Sequence, residues 1–140
     1  MSRAGFSSLE QLIVLSLLSA LALLTIASGA PLLEAAAMET AVRDATSLFA
    51  FARDHALSSG ERTAVRVDAR HHRLIVHAGR DTLAAADFAL RAVRLSASRD
   101  SMAYAPSGLG VGAANLSLVL TRGSRADTIL VSRLGRVDTR

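Results

Sequence analysis

The chain has 140 residues, a formal net charge of +4 and 16 basic side chains, every one an arginine. It holds no cysteine, which excludes a disulfide framework and a cysteine-linked lipid anchor, and its length leaves room for one small domain beside a long helix. Hydrophobic residues make up 51% but aromatic ones only 4%, and the basic balance, with a pI of about 11.2, describes an arginine-rich solvated surface better than a dedicated nucleic-acid binder.

Residues 11–33 carry no charged side chain. A helix over these roughly 23 positions, rising about 1.5 Å per residue, is long enough to cross a hydrocarbon core about 30 Å thick. One membrane crossing is therefore expected. Arg3 and the initiator amine place positive charge ahead of the span, so the N-terminus is expected in the cytoplasm and the remainder outside. Glu10 stands at the threshold of the span, where a charge costs about 2.5–3.5 kcal/mol, so it needs a cationic partner. Cutting the chain between Gly5 and Phe6 would create such a partner, the new α-amino group of Phe6. Within one helix that amine and the Glu10 carboxylate are poorly disposed to satisfy each other, whereas the amine of a neighbouring copy in a helical stack can reach it. Two blander readings explain less. A secretory signal ending at Ala27, Ser28 and Gly29 would have too long an apolar centre and would leave Glu10 without a purpose. A plain anchor accounts for the length but not for Gly5, Phe6 or Glu10.

Gly5, Phe6 and Glu10 together resemble the type IV prepilin family, whose leader ends in glycine and whose mature chain begins with phenylalanine and carries glutamate at its fifth position. The resemblance implies cleavage after Gly5 by a membrane prepilin peptidase, N-methylation of Phe6, and polymerisation with other pilin or pseudopilin subunits on an inner-membrane assembly platform. It implies a single-pass inner-membrane protein with a periplasmic C-terminal domain. The expected divisions are a leader at 1–5, a transmembrane and assembly helix at 6–31, an outer helix at 32–60 and a periplasmic β domain at 61–140.

Further along, Pro31 removes a backbone donor and crowds the preceding turn, so a kink is expected before the helix resumes. From Leu32 to about Ser58, Ala37, Ala41, Ala45, Leu48, Ala52 and Ala56 recur at spacings of three and four and describe one apolar stripe. Glu39 and Arg43 have the favourable acid-first spacing on the polar side. Ser58, Ser59 and Gly60 end the helix. The period then changes to two. Thr63 to Asp68 places Val65 and Val67 opposite Ala64, Arg66 and Asp68, and its hairpin partner at 74–77 is joined through Arg70, His71 and His72. Further strands are expected at 89–95, 101–105, 116–120, 128–132 and 136–139. The fold class is α+β and pilin-like: a long N-terminal helix, transmembrane and kinked, packed on a small antiparallel β domain.

Three later segments refine the resemblance. The helix carries the pair Ala52 and Arg53 ahead of its end, Tyr104, Pro106 and Gly108 make an aromatic-x-Pro-x-Gly turn, and Gly135 and Arg136 follow the last long strand. In this order they resemble the GspH/FimT-like branch of minor pseudopilins, which implies a low-abundance subunit near the tip of a type II secretion pseudopilus or a type IV pilus. The same branch implies an alternative, DNA binding during natural transformation, with Arg122, Arg125, Arg133, Arg136 and Arg140 as the contacts. Asp138 stands where another arginine would strengthen a basic clamp. No enzyme is expected, because no nucleophile, base and orienter converge in the sequence. No cofactor or metal is expected either: His71 and His72 lie in a turn, His55 and His77 stand apart, and Gly108, Gly110 and Gly112 read as a turn rather than a phosphate loop.

Overall fold

The computed structural model describes residues 7–112 and 115–140, with backbone alone at 24–28. The chain divides into two compact units, Met1–Leu33 and Glu34–Arg140. Helix α1, Ser8–Ser59, spans 52 residues, and its helical backbone continues through Pro31. The expected span, 11–33, includes the five positions without described side chains. Among the described residues no helical stretch is by itself long and apolar enough to cross a membrane.

In the second unit the outer part of α1 lies against two antiparallel sheets. The first is built from β1 (Thr63–Asp68), β2 (Arg73–Ala78), β3 (Asp81–Asp87), β5 (Ser101–Tyr104) and β6 (Gly110–Val111), in the order β3-β2-β1-β5-β6. The second is built from β4 (Arg94–Ala97), β7 (Leu116–Arg122), β8 (Arg125–Val131) and β9 (Val137–Thr139), in the order β4-β7-β8-β9. The alternation read in β1 is the observed one: Thr63, Val65 and Val67 are buried and Arg66 is exposed. β1 and β2 pair from Thr63 opposite Ala78 to Asp68 opposite Arg73, so Leu74 and Val76 join the same buried layer.

The helix contributes Met38, Ala41, Ala45, Leu48, Phe49, Ala52 and Ala56 to the core, and the sheets answer with Val65, Val76, Leu118, Leu120 and Ile129, among others. Five of the six stripe positions are buried, and Ala37 is half-buried. The stripe omits Met38 and Phe49. Alanine along the helix holds its axis close to the sheets, and Phe49 and Phe88 fill the space that alanine leaves.

Two elements differ from the sequence expectation. The strand expected at 89–95 is a single 3₁₀ turn, Ala89–Arg91, followed by a strand that begins only at Arg94. Phe88 is wholly buried at the crossing between the sheets, and Ala92 takes a left-handed φ of 55°, so the chain turns where the apolar pattern suggests extension. Conversely, β3 is a strand that the sequence pattern does not signal. It follows β2 through a tight turn with Gly79 at φ 59°, and its Ala84, Ala85 and Ala86 carry none of the β-branched signal by which strands are recognised.

Candidate functional site

At the start of α1, the Glu10 N–H donates to the Ser7 carbonyl at 3.0 Å and faces the Ser7 hydroxyl at 3.3 Å. Ser7 thus stands at the N-cap with its hydroxyl against the N–H of the third helical residue, Glu10, and an acid in the first turn also suits the helix dipole. This local role escapes the sequence reading, although the serine-x-x-glutamate spacing displays it. The Glu10 side chain has no ion-pair partner among the described residues. Gly5 and Phe6 lie outside the described residues.

Beyond the cap, Leu9 through Leu23 present their apolar side chains outward, Leu9 at 68% and Leu23 at 70% exposure. The hydroxyls in this stretch turn inward: Ser16 donates to the Ile13 carbonyl and Ser19 to the Leu15 carbonyl, each at 2.8 Å. Such back-bonding satisfies the polar groups within the helix, so its outer surface is left for an apolar environment.

The three motif segments of the outer domain meet at one point. The Arg53 Nε–H donates to the Gly108 carbonyl at 3.1 Å. A Cβ at Gly135 would lie 3.0 Å from Arg53 Nε and 3.1 Å from the Gly108 carbonyl oxygen, and its φ of 76° excludes most side chains independently. Gly108, at φ 74°, is similarly hemmed by Leu57 and Arg53. Nearby, the Gly110 N–H donates to the Arg133 carbonyl at 2.8 Å and ties the first sheet to the loop after β8. Tyr104 is wholly buried and its hydroxyl has no hydrogen-bond partner among the described residues. Burial pushes its pKa up to about 12, and the Arg53 charge works in the opposite direction. The arrangement is a structural latch between helix and sheets.

The five arginines fall into two groups. Arg122 and Arg125 pair across the β7–β8 turn, and Arg140 lines the same hollow as Arg125. Arg133 and Arg136 lie at the other end of β8, about 20 Å away for a seven-residue strand. Acids are interleaved at both ends: Glu34 lies against Gly123, Asp127 beside Arg125, and Asp138 near Arg136. The histidines are engaged locally. His71 Nδ1 sits 2.8 Å from the Asp68 carboxylate, His72 Nδ1 accepts the Leu95 N–H at 3.2 Å, and His55 lies 3.1 Å from the Thr63 hydroxyl. Among the described residues no three His, Asp or Glu side chains form a group able to hold a metal ion.

A family model described as Type II transport protein GspH matches residues 41–135, more than half of the chain. The chain belongs to the GspH family. Among solved structures, the type IV minor pilin FimU of Pseudomonas aeruginosa (strain PAO1) is 14% identical at a TM-score of 0.62, covering 73% of this chain and 87% of that one. The minor pseudopilin EpsH from the Type 2 Secretion System of Vibrio cholerae is 12% identical at a TM-score of 0.59, covering 73% of this chain and 94% of that one. These likenesses establish the fold, a long helix on antiparallel sheets. No curated protein matches the chain at a significant level. Membership of the GspH family makes it a pilin-type structural subunit of the kind used in type II secretion, with the membrane anchoring and the association with other pilin subunits that the family implies.

Proposed function

We propose that this GspH-family chain is a minor pseudopilin, cut after Gly5 by prepilin peptidase, methylated on Phe6, and incorporated in low copy into a type II secretion pseudopilus or a type IV pilus. Before assembly the first half of α1 crosses the inner membrane once, with its N-terminus in the cytoplasm and the second unit in the periplasm. The observation that carries this reading is the outward-facing apolar surface from Leu9 to Leu23 on a helix whose serines are satisfied internally. Lipid covers such a surface before assembly and neighbouring helices cover it afterwards, at little change in polarity. The Glu10 carboxylate aligns each arriving subunit by pairing with the Phe6 amine of a neighbour. Its role is assembly, without catalysis.

The test is made in the host. Gly5→Glu leaves full-length, unassembled protein in the membrane, and Glu10→Ala is cleaved normally but incorporates poorly. Incorporation of Glu10→Ala at the normal level contradicts the alignment role.

DNA binding is the second reading, and one observation favours it: none of Arg122, Arg125, Arg133, Arg136 or Arg140 has an ion-pair partner among the described residues. Two clusters on opposite ends with acids between them describe weak, sequence-independent phosphate contact. Binding of duplex DNA by the full chain in detergent across a salt series checks it. A log–log slope of about −0.9 per phosphate neutralised supports this reading, and salt-insensitive or absent binding removes it.

A further inference from the structure

The four strands at the edges of the two sheets differ greatly in length. β6 has two residues, β9 three and β4 four, whereas β3 has seven. Short edges offer few free backbone groups, and proteins usually blunt long ones with proline, a central charge or a covering element. β3 has no proline, and its charges are confined to its ends, Asp81 and Asp87; its register against β2 shifts at Leu83, between the partners of Val76 and His77, so Ala84 to Asp87 form the regular part of the edge. Small side chains leave its outer row of N–H and C=O groups open to approach.

A second observation lies beside it. A groove of about 460 Å³ runs between this end of the sheet and the outer part of α1, lined by Ser47, Leu48 and Phe51 of the helix, by Ala85 and Ala86, and by Leu90. Leu90 is 86% exposed and Phe51 41%, which is costly for large apolar groups. One end of the groove is closed by the Arg91–Asp44 ion pair at 2.6 Å.

We propose that this edge and groove receive an extended segment of a neighbouring filament subunit, which adds to the first sheet as a further antiparallel strand next to β3. An extended chain is the occupant because one wall offers backbone hydrogen-bonding groups, which a helix cannot use, while the floor takes apolar side chains from alternate positions. Antiparallel addition continues the pairing of every other strand in the sheet. It sets the C-terminal end of the incoming segment opposite Asp81, which has no ion-pair partner among the described residues, while Asp87 at the other end is already held by Arg73 at 2.7 Å. The donor therefore carries a basic residue at its C-terminal end. A second copy of this chain is disfavoured, because antiparallel pairing of β3 with itself brings the Asp81 end of each copy toward the Asp87 end of the other, like charge against like.

That the donor belongs to a filament rests on the proposed function; the open edge and its end charge do not. The test uses the full chain in detergent micelles and two synthetic heptapeptides of alternating valine and threonine, one ending in arginine and the other in glutamate. The arginine peptide is expected to slow amide exchange at residues 81–87 at least tenfold and to bind at least tenfold more tightly than the glutamate peptide. Asp81→Arg, on an exposed position, reverses that preference. Protection by neither peptide, equal binding of both, or protection at another edge overturns the proposal. Disulfide-linked dimers of Ala85→Cys, the sole cysteine of that variant, also overturn it by placing a second copy on the edge. None of these outcomes depends on filament incorporation, and failed incorporation in the host leaves them unchanged.

Discussion

Tyr104 is the single tyrosine and the chain has no tryptophan, so its ionisation can be followed by ultraviolet absorbance without interference. Its folded pKa is raised from 10.0 to about 12 by burial. The native state thus keeps its proton where the unfolded state has lost it. Stability is unaffected below pH 10, then falls as the pH rises toward about 12. The phenolate signal is expected to appear about two units higher in native than in denatured protein. A native titration near 10 contradicts the buried site. Because the buried hydroxyl has no hydrogen-bond partner among the described residues, Tyr104→Phe is expected to raise stability by about 1 kcal/mol in chemical denaturation at neutral pH and to reduce the alkaline loss. Gly135→Ala faces both a positive φ and a 3.0 Å approach to Arg53, and should cost about 1–3 kcal/mol in the same measurement. Of the motif residues, Arg53, Tyr104, Gly108 and Gly135 could be singled out from the chain, but their convergence could not, because it depends on how a helix end and two turns are brought together by packing.

Elements were legible in proportion to the chemical contrast along them. β1 alternates valine with polar residues, and the structure keeps that register residue for residue. β3 has three successive alanines among the five residues between its aspartates, so neither period nor propensity marks it. The segment after Phe88 is apolar enough to suggest a strand, yet the burial of Phe88 and the left-handed Ala92 turn it instead. Phe49 shows the same limit within a helix. The alanine stripe marks the buried face, but not that one aromatic ring beside it fills the gap. Phe49→Ala is expected to cost about 3–5 kcal/mol, whereas Phe51→Ala, on the rim of the groove, costs well under about 2 kcal/mol. Comparable losses for the two in denaturant titrations contradict the assignment of inner and outer faces. At the other end of α1, Ser7→Ala removes a cap worth about 1 kcal/mol, and faster amide exchange confined to the first turn is the expected sign.

At the scale of the whole molecule, the chain combines an outer unit that has its own core with a helical segment whose described apolar side chains from Leu9 to Leu23 are exposed. The membership read from scattered motifs agrees with the family match over residues 41–135. The proposed assembly chemistry rests on Gly5, Phe6 and Glu10, ahead of that match. In the proposed function each subunit is trimmed so that its new amine can meet a carboxylate on its neighbour. Intact-mass analysis of the protein recovered from its host tests it most directly. The account predicts a chain running from Phe6 with one added methyl group on its amine. A chain that keeps Met1, or one that begins beyond Gly29, contradicts it.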